Sequence, residues 1–187
     1  MNYQNVLCIG DSQTFGARTY GCYPLYLAIK LNECTGCHCR AINWSLNGLK
    51  CRDVWFMLND KLGQLSDCYQ ACLLIGTNDV GDNVDLEIFT EYYRQCLIAL
   101  CISGIRNIYC AQIPPIFPNG HAFFDQGCLK RREQFNEAIK QCVDEMSCAY
   151  LVNLDGLSVK HYEDPVHFNE AGNKLVAECF AKVIKER

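Results

Sequence analysis

The chain lacks the features that define several large functional classes. It has no basic excess: 17 Lys and Arg stand against 21 Asp and Glu, a formal net charge of −4. Domains that bind nucleic acid carry clustered positive charge, so no nucleic-acid partner is expected. No apolar run approaches the roughly 18–20 residues of a membrane span, so no integral membrane segment is expected. Histidine is scarce, His38, His121, His161 and His167 being the full set. Both phosphate-cradling glycine patterns are missing. The first turn, Gly10-Asp11-Ser12-Gln13-Thr14-Phe15-Gly16, lacks GxGxxG spacing, and GxxxxGK[ST] does not occur. The opening residues, Met1-Asn2-Tyr3-Gln4-Asn5, have neither the basic cluster nor the apolar stretch of an export signal. A reducing, cytoplasmic setting is the expectation.

Cysteine, by contrast, is abundant. Fifteen in 187 residues is close to the level of a disulfide scaffold in a short secreted chain. The odd count, the missing export signal and a chain long enough to build its own core argue instead for free thiols. Cys8, Cys72, Cys96, Cys101, Cys110 and Cys179 sit in apolar runs, where a reduced thiol packs as a small hydrophobe. The cluster Cys34-Thr35-Gly36-Cys37-His38-Cys39 contains CxxCH, the spacing of haem attachment. Haem attachment belongs to exported chains, and Cys34, Cys37, His38 and Cys39 are crowded for a tetrahedral zinc site. A plain turn is the reading preferred, with no cofactor and no metal. A metal or haem redox protein built on these cysteines stays as a minor alternative.

Apolar runs alternate with helix-period stretches from end to end. Val6–Ile9, Ala41–Trp44, Ala71–Ile75, Asn107–Ile113 and Tyr150–Leu154 read as five short strands. Helices are expected over about 23–33 (apolar Leu25, Leu27, Ile29, Leu31), 51–65 (Val54, Met57, Leu58, Leu62, Leu65), 85–103 (Leu86, Phe89, Tyr93, Leu97, Leu100) and 125–147. A final helix follows Asn169, a good N-cap, with Leu175, Val176, Cys179, Phe180, Val183 and Ile184 on one stripe. Strands alternating with helices mean βαβ units and a parallel sheet covered on both faces. The expected fold is therefore α/β: a three-layer α/β/α sandwich with a five-stranded parallel sheet, flavodoxin-like, in one domain over residues 1–187. The longest stretch without an element, Pro114 to Phe124, carries three prolines, Ile116, Phe117, Phe123 and Phe124. So apolar a loop leans on the core or on a ligand.

Ligand sites in such sheets lie beyond the carboxyl ends of the strands. Four polar clusters fall there: Gly10-Asp11-Ser12, Asn47-Gly48, Gly76-Thr77-Asn78-Asp79 and Asp164-Pro165-Val166-His167. A serine needs a base, and the base an orienting group. His167 has Asp164 three residues ahead, and Pro165 keeps Asp164 extended. His121 with Asp125, and His161 near Glu163 and Asp164, compete less well. Each cluster also has a plain reading as turn or cap chemistry. The nucleophile elbow of α/β-hydrolases fails, because Gly10 to Thr14 reads GxSxT after the first strand.

Taken in order, the clusters resemble the blocks of the SGNH hydrolases, or GDSL esterase/lipase family, over almost the whole chain. Gly10-Asp11-Ser12 looks like the serine block. Asn43 to Gly48 resembles the second block, Gly76 to Asp79 the third, and Asp164 to His167 the DxxH pair. Gln13 departs from the family's leucine. The resemblance implies a catalytic triad of Ser12, His167 and Asp164. It also implies an oxyanion hole from the backbone N–H groups of Ser12 and Gly48 and the Asn78 side chain, a glycine being read at 48 as leaving room for close backbone approach. Asp11 and Asp79 are expected to be structural. The implied partner is a small-molecule ester, cleaved through an acyl-enzyme without a cofactor. The family's substrates range over lysophospholipids, thioesters, aryl esters and O-acetylated carbohydrates. Phe117 and Phe123 in the aromatic loop are candidate substrate contacts favouring an acyl chain, or else plain packing. A non-catalytic binding module on the same fold is the remaining alternative.

Overall fold

The computed structural model describes residues 3–35, 38–61, 67–121 and 123–187. Five strands, β1 (Tyr3–Gly10), β2 (His38–Ser45), β3 (Cys68–Leu74), β4 (Asn107–Ala111) and β5 (Ala149–Val152), form one sheet in the order β2-β1-β3-β4-β5. All four pairings are parallel. This is the doubly wound order whose switch point lies between β1 and β3. The helices are α1 (Ser12–Phe15), α2 (Tyr23–Thr35), α3 (Cys51–Lys61), α4 (Thr77–Gly81), α5 (Leu86–Ile102), α6 (Cys128–Asp144) and α7 (Glu170–Lys185).

Strand side chains alternate between the sheet faces, and the two cores follow that alternation. Val6, Cys8, Cys72 and Leu74 pack under α2 and α7 with Tyr23, Leu27, Val176 and Phe180. Leu7, Ile9, Ala71 and Leu73 pack on the other face with Val54 and Leu58 of α3, Phe89 and Leu97 of α5 and Phe135 of α6. The three-layer sandwich expected from the sequence is thus present. In α5 the expected Phe89, Tyr93, Leu97 and Leu100 are buried and Leu86 partly so. In α7 Val176 and Phe180 are buried, with Leu175, Cys179, Val183 and Ile184 partly buried against the same core, and Asn169 caps α7 by accepting from Gly172 N at 3.1 Å.

Several details differ from the sequence reading, each for a physical reason. In α2 only Leu27 and Leu31 of the four expected residues are buried, with Tyr23, while Leu25 and Ile29 are exposed. Side chains share a helical face at spacings of three and four, not two. The helix expected from 125 begins at Cys128, because the Asp125 carboxylate accepts from Gly127 N at 2.8 Å and folds those residues into a side-chain-closed turn. β4 stops at Ala111, where Ile113 N turns away to the Asn136 side chain at 2.7 Å. β2 starts three residues early, so His38 and Cys39 are strand residues paired with Tyr3 and Gln4 rather than part of a turn. Cys37 lies outside the described residues, as do Leu62 and Leu65. Among the described residues no group of His, Cys, Asp and Glu is arranged to hold a metal ion. No described helix is long and apolar enough to cross a membrane.

Candidate active site

The carboxyl end of β1 runs directly into α1. Asp11 caps this one-turn helix, its carboxylate accepting from Gln13 N at 2.9 Å. Gly10 lies so close to the β3 backbone at Leu74 and to the Thr14 side chain that a Cβ would collide with both. Ser12 is therefore the first helical residue at the sheet edge, buried with 8% of its surface exposed.

The second half of the site arrives 155 residues later, in the loop between β5 and α7. His167 Nε2 lies 3.1 Å from Ser12 Oγ, and its Nδ1 lies 2.8 Å from Asp164 Oδ2. The other carboxylate oxygen, Oδ1, accepts from Val166 N at 2.9 Å and His167 N at 2.7 Å. This closed turn holds the imidazole against the carboxylate through Nδ1, with Nε2 facing Ser12 Oγ. Burial raises the Asp164 carboxyl, but the backbone N–H and imidazole of His167 and the N–H of Val166 together outweigh it. The group stays below the usual aspartate range. Arg18 adds a weak contact at 3.8 Å from an exposed position.

Across the serine, Asn78 stands in α4, at the end of β3. Its helix starts at Gly76, whose φ of +123° a side chain rarely adopts, and where a Cβ would strike Ile113 and Phe89. Asn78 Nδ2 donates to Leu49 O at 2.8 Å and reaches Asp11 Oδ2 at 3.4 Å. One side chain thus ties together the three segments that carry Ser12, Gly48 and itself. Gly48 occupies an exposed turn with φ +81°, and a Cβ there would meet nothing within 4 Å. The glycine answers a left-handed backbone rather than the close approach assumed from the sequence.

Two further carboxylates are buried beside the serine turn. Burial pushes Asp11 up to about 7, against the Gln13 N–H and with help from neighbouring Asp79. Burial likewise raises Asp79 to about 7, opposed by the N–H of Cys51, which lies 3.0 Å from Oδ2, and by Lys50. Both serve as structural acceptors: Asp11 holds α1, and Asp79 holds the start of α3.

The competing histidines are otherwise engaged. His161 Nδ1 accepts from Ser158 N at 2.9 Å and His121 Nδ1 from Phe123 N at 3.2 Å. Asp125 pairs with Arg131 at 3.0 Å. Phe117 lines an open groove of about 590 Å³ together with Ile116, Leu129, Tyr162, Asp164 and Pro165. Phe117 N donates to Pro165 O at 3.0 Å, which fixes the loop against the Asp164 turn. Phe123 goes elsewhere, packing on Gly81 of α4 and on Phe124.

Gln13 is the residue whose part the sequence hid. It is buried, its Nε2 donates to Val166 O, and its Oε1 lies 3.4 Å from Phe168 N. It therefore straps the serine turn to the histidine turn. The only sequence signal is its departure from the leucine expected there, and its partners lie over 150 residues away.

Comparison with known proteins gives the family and the fold. The GDSL-like lipase/acylhydrolase family matches residues 8–175. A search of curated proteins finds no match. Among solved structures the chain is similar to the inhibitor-bound aryl esterase of M. smegmatis, at TM-score 0.81 and 14% identity over 98% of this chain and 99% of that one. It is also similar to the acetyl xylan esterase AlAXEase, at TM-score 0.79 and 19% identity over 96% and 99% of the two chains. The acetylxylan esterase Axe2 of Geobacillus stearothermophilus superposes at TM-score 0.77 with 19% identity, over 97% of this chain and 94% of its own. With most of its length matched by the family and its sheet of the SGNH hydrolase type, the chain is an ester-hydrolysing member of the GDSL-like lipase/acylhydrolase family.

Proposed function

We propose that the protein hydrolyses a small or single-chain carboxylic ester with Ser12 as nucleophile, His167 as general base and Asp164 as its orienting partner. The observation that carries this reading is the contact of His167 Nε2 with Ser12 Oγ at 3.1 Å while Nδ1 is held by Asp164. Ser12 Oγ attacks the ester carbonyl as His167 takes its proton. The tetrahedral oxyanion is met by the N–H groups of Ser12 and Gly48 and by the Asn78 amide. The alkoxide leaves with the proton from His167. Water, activated by the same imidazole, then frees the acid from Ser12. Asn78 already spends one amide proton on Leu49 O, so its second, weakly engaged by Asp11, is the one free to meet the oxyanion.

The groove walled by Phe117 and Tyr162, beside Asp164, supports an apolar acyl or aryl group as the substrate part bound there, as in lysophospholipid, thioester or aryl ester substrates. A carbohydrate O-acetyl ester is the second reading, favoured by the likeness to two acetylxylan esterases. A cytoplasmic setting belongs to the same proposal, supported by core cysteines such as Cys8, Cys72, Cys96 and Cys110 being free thiols. Replacing Ser12→Ala should lower turnover of a short p-nitrophenyl ester by roughly 10⁴-fold or more and abolish labelling by a fluorophosphonate, with an unchanged melting temperature. Turnover surviving in a folded Ser12→Ala protein rejects the triad. A panel of acetylated sugars against longer acyl esters and thioesters separates the two substrate readings.

A further inference from the structure

The edge of the sheet opposite the serine turn carries a second feature of chemical interest. Cys101 lies in the last turn of α5 and Cys148 directly ahead of β5, and their sulfur atoms are 2.9 Å apart. Both residues are half-buried, so a small solute reaches them. Other thiols also come near one another. Cys8 and Cys72 are register partners on β1 and β3, and Cys96 Sγ points at Cys51 O at 3.7 Å. Those four are wholly buried in the two cores, beyond the reach of an oxidant.

We propose that Cys101 and Cys148 form an oxidation site, converted by a peroxide into a disulfide that staples the end of α5 to the start of β5. In the first step one sulfur attacks the peroxide. An S–O bond forms, the O–O bond breaks, and water leaves from a hydrogen peroxide after proton transfer. In the second step the other sulfur attacks the sulfenic sulfur. The S–S bond forms, the S–O bond breaks and a second water leaves, so two thiols and one hydrogen peroxide give one disulfide and two waters.

The surroundings fit a staple. Ile108 N donates to Cys148 O at 2.8 Å, so one end is already fixed to β4. The segment closed by the bridge, 47 residues in sequence separation, contains β4, the aromatic loop and α6. Closing so long a segment removes conformations from the unfolded chain. Burial, helped by the neighbouring Cys148 thiol, pushes the Cys101 thiol up to about 12. Attack at neutral pH is therefore slow, and excess peroxide is needed to drive it.

The test treats the purified full-length protein with hydrogen peroxide, alkylates remaining thiols after unfolding, and maps unreduced tryptic peptides by mass spectrometry. The expected product links 95–106 to 141–160, with fragment ions placing the bond at 101 and 148. The location matters because each peptide carries a second cysteine, Cys96 and Cys142. The bridged protein should melt higher by on the order of 5–10 °C, and Cys148→Ser should lose both the link and the shift. Full alkylation of both residues, a link through Cys96 or Cys142, sulfinic acid in place of the bridge, or a bridged protein that melts no higher would each overturn the proposal. The mapping is done on the wild-type chain, so the result stands even if a serine variant folds poorly.

Discussion

Two carboxylates flank Ser12, and they live in opposite electrostatic worlds. Asp164 is half-buried and receives three donors within 2.9 Å, from Val166, from the His167 backbone and from its ring. Asp11 is almost fully enclosed, with one backbone donor at 2.9 Å, a long contact to Asn78, and a second buried carboxylate for company. The first is held below the ordinary range and the second pushed up to about 7. Neither distance from the serine nor residue type separates them. The number of N–H groups aimed at each does, since every hydrogen bond to the anion offsets part of what burial costs. Asp164 is thereby kept as an anion able to balance a charged imidazole, and Asp11 as a cap near neutrality.

The sharpest way to break that contrast is Asp164→Asn. The amide keeps an oxygen for the two backbone donors but presents N–H to the imidazole, which favours the wrong tautomer. Turnover of a p-nitrophenyl ester should fall by about 10³–10⁴-fold with little change in KM. A loss under tenfold would mean that Asp164 only shapes the turn.

A smaller effect tests the link between the two settings. Gln13 donates its backbone N–H to Asp11 and its side-chain amide to Val166 O. In Gln13→Leu the cap survives but the strap is cut, leaving Val166 O unpaired. We expect kcat to fall by roughly tenfold, since small misplacements of catalytic groups are costly, and Tm to drop by a few degrees, about 1–2 kcal/mol of lost bonding. An unchanged kcat would make Gln13 a packing residue.

The mildest change concerns pH. For Asp11 the folded value, about 7, stands above the ordinary 3.8. Its contribution to stability is therefore complete below about pH 4 and is lost as pH rises through 7. Asp11→Asn keeps a cap oxygen but no titrating group. The Tm advantage of wild type over this variant should shrink steadily from pH 4.5 to pH 7.5. A constant difference would contradict the raised value.

How much of this was legible beforehand follows from the range of each interaction. The five strands and the bodies of the long helices are local patterns legible in periodicity, and the three-residue spacing of Asp164 and His167 is one that a closed turn brings into contact. α1 and α4 were invisible, because helices of four and five residues are too short to show a 3.6-residue stripe. The Gln13 strap was hidden because its partners are remote in sequence. At Gly48 the close approach read from the sequence gives way to a left-handed φ of +81°, because backbone handedness at one residue leaves no trace in its neighbours' composition. The groove beside Asp164 depends on Phe117 N reaching Pro165 O, a contact between two loops that no single-segment pattern encodes.

The hydroxyl at position 12 and the imidazole that touches it come from segments 155 residues apart. Under the proposed mechanism a nascent chain that has not reached His167 is chemically silent, however well its early strands have paired. Reactivity under that mechanism switches on only when the loop ahead of α7 closes over β1, so turnover in a translation mixture would count molecules assembled that far and none of the shorter ones.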